Sequence, residues 1–252
     1  PEAELVHLLG HDHAAFSRWE VDQRLAADVI LNKRGAPSRA FLDAMRRVLD
    51  DPDPAFAAEV LTLPSETFLA EQLEVVEPDA LHASRNALRL AMAEALQDSL
   101  RAKYDALKVS GPYSAAPGQV GRRTLRNVCL GYLAELGQTP LADRQFRAAD
   151  NMTDAMAALT CLAGADCAER IPALDAFYVK WRDEPLVVDK WLAVQAGSRL
   201  PGTLARVTEL LSHPAFDLKV PNKVYSLIRA FSANHVRFHA AGEMRQDPGR
   251  RL

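Results

Sequence analysis

Seven histidines and three cysteines are the side chains of this sequence best suited to bind a metal or to attack a substrate. His11 and His13 lie two residues apart, and His235 and His239 lie four apart, a spacing that on a helix directs both rings to one side. No carboxylate stands at a helical offset that would complete a zinc set around His11 and His13. The residues between His235 and His239 are VRF, so the HExxH motif is absent. The sequence therefore predicts no metal site.

Nucleophilic catalysis is not indicated either. Cys129 falls on the apolar stripe of a predicted helix, where a packed thiol is expected rather than a reactive one. The chain contains no GxSxG motif, no glycine-rich phosphate loop and no distinctive pair of carboxylates. We therefore predict no catalytic residue in this chain.

Composition narrows the class of protein. The chain has 252 residues, 48% of them apolar, which is enough for a sizeable core, and its net charge of -3 does not favour a nucleic-acid partner. No apolar run approaches the ~20 residues that a membrane span requires. The three cysteines show no CxxC spacing and lie in apolar contexts, as expected of reduced thiols. These features predict a cytoplasmic protein that binds neither nucleic acid nor membrane.

Apolar residues recur at helical spacing through most of the chain, and no run alternates as a strand would. The longest pattern runs from Glu77 to Lys108, and residues 122–162 read as three short helices separated by tight turns. Ser38, Asp53 (followed by a proline) and Thr153 are predicted to cap helices. The predicted class is all-α.

The helices after residue 150 appear in pairs. The second helices of three successive pairs begin near Thr153, Val187 and Lys223, which are 34 and 36 residues apart. A nearly constant period of two helices predicts an α-solenoid of HEAT or armadillo type. We divide the chain into an N-terminal helical part (1–108), a loop rich in Gly, Pro and Ser (109–121), a helical-repeat part of the same domain (122–241) and a disordered tail (242–252).

Two basic features are candidate contact sites. Three arginines fall at a predicted helix start, where the positive end of the helix dipole disfavours cations, namely Arg122, Arg123 and Arg126. Solvent, nearby acids or a partner surface must therefore stabilise their positive charges. The segment from Pro221 to Tyr225 begins another helix, and its polar N-terminal end could face an anionic group such as a peptide carboxylate. Ordinary capping by Asn222 is the alternative.

Several longer segments of the sequence resemble those of a known protein family. RTLRNVCLGYLA, ADNMTDAMAAL, VVDKWLAVQAGS, VPNKVYSLIRAF and FHAA occur in this order, preceded by FSRWEVDQRLA and AEVLTLPSE. Together they closely resemble the C-terminal helical domain of the bacterial aminopeptidase N family, the M1 family of zinc metallo-aminopeptidases, over nearly the whole chain.

The resemblance implies a parent enzyme that removes single residues from peptide N-termini with a zinc-bound water. Its HExxH zinc motif belongs to an upstream catalytic domain, and no histidine of this chain is followed by glutamate. The C-terminal solenoid of such enzymes closes over the active site and admits peptides. The resemblance thus implies a non-catalytic capping and substrate-gating domain, whose partners are the upstream catalytic domain and peptide substrates. The alternative is a stand-alone helical-repeat scaffold that binds other proteins.

The resemblance implies roles for individual residues in only one segment of the chain. The helix from Lys223 to Phe231 lies near the substrate chamber in related sequences, so Asn222, Lys223 and Tyr225 are the predicted substrate-binding residues. Some relatives carry Arg where this chain has Tyr225, which can donate a hydrogen bond but brings no charge. The chain also lacks the further helices of the family after FHAA, and an uncovered repeat face predicts self-association or binding to the catalytic partner.

Overall fold

The computed structural model describes residues 4, 8, 14–32, 37–109 and 111–240, and these residues form helices and turns without any strand. The all-α prediction is confirmed. The helices are α1 (Ala15–Leu31), α2 (Arg39–Leu49), α3 (Pro54–Val60), α4 (Glu66–Ala70), α5 (Pro78–Ala106), α6 (Pro117–Glu135), α7 (Thr139–Ala148), α8 (Met152–Ala163), α9 (Arg170–Trp181), α10 (Pro185–Ala196), α11 (Thr203–Leu211), α12 (Pro221–Val224), a π-helix (Tyr225–Arg229), α13 (Ala230–Ser232) and α14 (His235–Phe238).

Local capping signals explain where several helices begin. The Ser38 hydroxyl accepts the Phe41 N–H at 3.1 Å, and an Asp53 carboxylate oxygen accepts the N–H groups of the first turn of α3. Both caps were predicted. The prediction that Thr153 caps α8 is wrong, because α8 begins at Met152 and the Asn151 side chain accepts the Asp154 N–H at 2.9 Å.

Packing divides the chain into two compact units, Pro1–Ala158 and Leu159–Leu252. In the first unit α5 and α6 pack along each other, α3 packs on α6, and α1 and α2 pack on α5. Leu88, Met92 and Leu96 of α5 and Tyr132 and Leu133 of α6 are fully or almost fully buried in its core. The division therefore does not fall in the segment 109–121, because the helices on either side of that segment pack together.

The start of α6 differs from the sequence prediction. The helix begins at Pro117, five residues before Arg122, so the three arginines lie beyond its first turn. Arg122 donates to the Ala106 carbonyl at 3.0 Å, Arg123 to the Ser114 carbonyl at 2.6 Å, and Arg126 to the Tyr104 hydroxyl at 2.8 Å. Backbone carbonyls and a tyrosine hydroxyl of the same unit therefore accept hydrogen bonds from all three cations.

In the second unit α9 packs on α10, and α10 packs on α11 and on the π-helix. Trp191 of α10 is buried, and its ring N–H donates to the Leu174 carbonyl of α9 at 2.9 Å. Along the chain, α8, α10 and α12 begin at Met152, Pro185 and Pro221, which are 33 and 36 residues apart. This spacing agrees closely with the predicted period of helix pairs.

Two parts of the sequence analysis lie outside the described residues, namely the histidines His11 and His13 and the tail 242–252. Within the described part of the chain, no helix is both long enough and apolar enough to cross a membrane.

Candidate functional site

The predicted contact residues at the start of α12 lie on one short helical turn. Pro221 occupies the first helical position and Val220 the N-cap, and no side chain caps the helix. The prediction that Asn222 acts as the cap is therefore wrong. Asn222 is instead an exposed residue of the first turn, and its amide is accessible for contacts with another molecule.

Lys223, the next predicted contact residue, is buried rather than exposed. Its Nζ lies 2.8 Å from Asp189 Oδ1 and donates a hydrogen bond to the Pro185 carbonyl at 3.1 Å. Both partners belong to α10. The side chain of Lys223 therefore fixes the first turn of α12 against α10, and its charge is compensated within the unit.

Tyr225 begins the π-helix, a wider turn in which backbone hydrogen bonds span five residues. Its side chain is 57% exposed, and the Arg229 guanidinium carbon lies 5.7 Å from its ring centre. π-turns inside α-helices occur frequently at functional sites. The structure thus places Asn222 and Tyr225 at the surface of the same turn, with Lys223 anchoring it from below.

A second candidate surface, which the sequence analysis missed, is a groove of about 370 Å³ in the first unit. We call it the arginine groove. It is lined by Leu61, Thr62, Leu63, Arg85, Arg89, Thr124, Asn127, Val128, Gly131, Tyr132, Thr153 and Ala157. The two arginines are four residues apart on α5, so they lie on one helix face, and this spacing is the sequence signal that could have revealed them.

The two arginines are held by neighbouring groups. Arg85 Nε donates to the Pro64 carbonyl at 2.7 Å, and Arg89 Nε donates to Glu135 Oε1 at 2.7 Å. The Arg89 guanidinium carbon also lies 5.0 Å from the Tyr132 ring centre, within range of a cation–π contact. A Cβ atom added at Gly131 would lie 3.0 Å from Arg89 Nη2, so glycine is what leaves room for this arrangement.

A hydrogen-bond network orients Asn127 at the edge of the arginine groove. Asn127 donates to an Asp154 carboxylate oxygen at 2.9 Å and accepts from Gln145 Nε2 at 2.7 Å. Gln145 in turn accepts the Tyr104 hydroxyl at 2.9 Å. Because both ends of the Asn127 amide are engaged, its orientation is fixed from α5, α7 and α8.

Neither surface brings together groups that could carry out bond cleavage. Cys129 is fully buried, and burial raises the pKa of its thiol to about 12, so it stays protonated and unreactive. The ring centres of His235 and His239 lie 6.1 Å apart. Among the described residues, no three His, Cys, Asp or Glu side chains form a group that could hold a metal ion.

Comparison with known proteins gives the family. A family model described as "Domain of unknown function (DUF3458_C) ARM repeats" matches residues 2–243. Aminopeptidase N of Caulobacter vibrioides is 40% identical over 246 residues, which are 92% of this chain and 28% of that protein. Aminopeptidase N of Escherichia coli is 39% identical over 254 residues, which are 95% of this chain and 29% of that protein.

A solved structure shows the same fold. Aminopeptidase A of Legionella pneumophila, crystallised in complex with aspartic acid, superimposes with a TM-score of 0.86 at 28% sequence identity. The match covers 95% of this chain and 30% of that protein, so the chain spans less than a third of the relatives it matches. The α-solenoid prediction is confirmed by the ARM-repeat description. The chain belongs to the DUF3458_C ARM-repeat family and is homologous to the C-terminal part of bacterial aminopeptidase N.

Proposed function

We propose that this chain is the C-terminal helical domain of a zinc-dependent aminopeptidase that removes N-terminal residues from peptides. The observation that carries the proposal is the 40% identity to an aminopeptidase N over 92% of the chain. Zinc and the catalytic groups belong, in this proposal, to an upstream catalytic domain, which is the main partner. This chain covers the active site and controls which peptides reach it.

The chemistry of the described surfaces supports a binding role. The Asn222 amide can donate to and accept from a peptide backbone, and the Tyr225 hydroxyl can donate to a peptide carbonyl or carboxylate. Lys223 contributes indirectly, because its contacts with Asp189 and Pro185 hold the turn that presents these two residues. Tyr225 adds no charge, so its hydrogen bond to a carboxylate lacks the ion-pair attraction and the second N–H donor that an arginine would supply.

The same proposal extends to the cellular compartment of the chain and to its other partners. The net charge of -3 does not favour binding to nucleic acid, and the reduced thiols expected from the cysteine pattern suit the cytoplasm. The proposed substrates are peptides, which diffuse to an active site covered by a helical domain more readily than folded proteins do.

The test compares the chain alone with the chain mixed with a catalytic-domain fragment. We expect no zinc and no hydrolysis of an alanine chromogenic substrate by the chain alone, and altered selectivity among peptides in the mixture. Asn222→Ala and Tyr225→Phe should lower kcat/KM for tetrapeptides several-fold while leaving the single-residue substrate unchanged. The matched control is Tyr113→Phe, an exposed tyrosine of the first unit.

Two outcomes would contradict the proposal. Zinc-dependent turnover by the chain alone would place the active site within it. A chain that neither binds the catalytic fragment nor alters its selectivity would instead support the stand-alone helical-repeat scaffold.

A further inference from the structure

The second unit contains a groove of about 310 Å³ between the first turns of α9 and α11, a size typical of small-ligand sites. We call it the α9–α11 groove. Two arginines line it, Arg170 from the first turn of α9 and Arg206 from α11, together with one acid, Glu209. The formal charge of the lining is therefore positive. None of these residues belongs to the surface proposed above to contact peptide substrates.

Arg206 is held in a fixed orientation. Its Nε donates to Gln195 Oε1 at 2.9 Å, and its Nη1 lies 3.0 Å from Glu209 Oε2. Gln195 is itself 3% exposed and donates to the Trp191 carbonyl at 3.1 Å, so the residue that orients Arg206 is immobilised by the core. The Nη2 group of Arg206 has no hydrogen-bond partner among the described residues, which leaves two N–H donors for a ligand.

Arg170 is a half-buried arginine whose side chain holds no other described residue in place. Its side chain makes no hydrogen bond or ion pair with any residue that the structure describes, although it is only partly exposed. A partly desolvated guanidinium without a counter-ion is stabilised by an anion that binds beside it. An unengaged Arg170 and a pre-oriented Arg206 in one groove together favour a bidentate anion.

The other residues that line the groove indicate which kind of chemical group carries the anion. Ile171, which is 49% exposed, and Leu174 and Ala163 supply an apolar wall next to the arginines. An inorganic anion would leave this wall in contact with water, whereas a carboxylate with an apolar body would cover it. No side chain caps α11, whose N-cap is Gly202, so the positive end of this helix adds to the attraction for a carboxylate.

We propose that the α9–α11 groove binds a carboxylate that carries a compact apolar group, with Arg170 and Arg206 holding the carboxylate and Ile171 and Leu174 contacting the apolar group. Two sources share this chemistry: a free small carboxylic acid, and the C-terminal carboxylate of a peptide that ends in an apolar residue. The site requires neither zinc nor a catalytic domain.

The test is an NMR titration of the ¹⁵N-labelled chain with phenylacetate, phenylacetamide and acetate. We expect saturable shifts of the Ile171, Thr203 and Arg206 amide signals with phenylacetate, and binding at least about tenfold weaker for the uncharged amide and for acetate, which lacks the apolar body. N-acetyl-Gly-Phe and its C-terminal amide form a second pair. If this peptide acid binds more tightly than phenylacetate, the ligand of the groove is the C-terminus of a peptide. If it binds more weakly, the ligand is a free small carboxylic acid.

Two arginine variants test whether phenylacetate binds in the α9–α11 groove. Arg170→Gln should weaken phenylacetate binding about tenfold without changing the thermal unfolding midpoint, since Arg170 holds no other described residue in place. Arg206→Lys keeps a positive charge and tests the need for the planar guanidinium. The control is Arg182→Gln, an exposed arginine outside the groove.

Equal binding of phenylacetate and phenylacetamide would overturn the proposal, as would unchanged binding by Arg170→Gln. Because no arm of the experiment measures peptidase activity, the result does not depend on whether the proposed function is correct.

Discussion

Lys223 Nζ lies 2.8 Å from Asp189 Oδ1, and the two side chains are only 11% and 13% exposed. The contact is a close ion pair rather than a well-aligned hydrogen bond, and the Pro185 carbonyl accepts from the same ammonium. Because α12 has only four residues and no side-chain cap, this pair adds a direct side-chain contact that holds its first turn on α10.

Removing one member of the pair should destabilise the second unit. Lys223→Gln leaves the Asp189 carboxylate largely buried without its counter-charge, and we expect a loss of about 2–4 kcal/mol in the free energy of unfolding. Urea denaturation followed by tryptophan fluorescence would measure it. Lys190→Gln, an exposed lysine next to Asp189, is the matched control and should change stability by less than about 0.5 kcal/mol. Similar losses for both variants would contradict the interpretation.

Two glycines of α6 should respond in opposite directions to alanine. A Cβ at Gly121 would lie 3.0 Å from the Ala55 backbone nitrogen and 3.3 Å from Pro54 Cγ, so α3 would have to move. At Gly118 the added Cβ meets nothing within 4 Å. We expect Gly121→Ala to cost about 1–3 kcal/mol and Gly118→Ala to gain up to about 0.5 kcal/mol from helix propensity. Thermal unfolding by circular dichroism would separate them, and stabilisation by both would show that α3 and α6 are not in close contact.

These examples indicate what the sequence could predict. The Ser38 and Asp53 caps follow from residues adjacent in the chain, and both were predicted correctly. The buried position of Lys223 depends on which helices pack together, so local patterns could not reveal it. The four-residue spacing of Arg85 and Arg89 indicates a shared helix face, but the residues that complete the arginine groove come from other helices. The π-helix at Tyr225 likewise has no sequence signal, because an ordinary α-helix satisfies the same apolar spacing.

Asp22 should make stability depend on pH. It is 1% exposed, its Oδ1 has no hydrogen-bond partner, and burial raises its pKa well above the ordinary value, against a smaller lowering by the Gln23 hydrogen bond. A carboxyl whose pKa is raised on folding stabilises the protein below its unfolded pKa, and this contribution is lost as pH rises through the folded pKa. The wild type should therefore lose stability as pH increases from about 4.

Asp22→Asn removes the ionisation and should raise the free energy of unfolding at pH 7 by about 1–3 kcal/mol, with a smaller gain at pH 4. Urea unfolding at both pH values would test this. Asp28→Asn, an exposed aspartate of the same helix, is the control. A gain for Asp22→Asn that is equal at pH 4 and pH 7 would mean that folding does not shift the pKa of Asp22.

His213 should make stability depend on pH in the direction opposite to that of Asp22. Its ring centre lies 4.9 Å from that of Tyr178 and 5.2 Å from that of Trp191, and its Nδ1 accepts the Ala215 N–H at 3.1 Å. Burial, and to a lesser extent the nearby charge of Arg206, lowers its pKa. The unfolded chain therefore binds a proton more readily than the folded one, so stability is lost as pH falls through about 6.5, the unfolded value.

The expected result is a wild type whose stability falls between pH 7 and pH 5 more steeply than that of His213→Gln. His235→Gln, which replaces an exposed histidine of α14, should keep the wild-type slope. Urea unfolding followed by tryptophan fluorescence suits the measurement, because Trp191 lies against His213 and reports on the same unit. If the His213→Gln slope matches that of the wild type, the pH dependence arises elsewhere and the aromatic contacts do not hold His213 neutral.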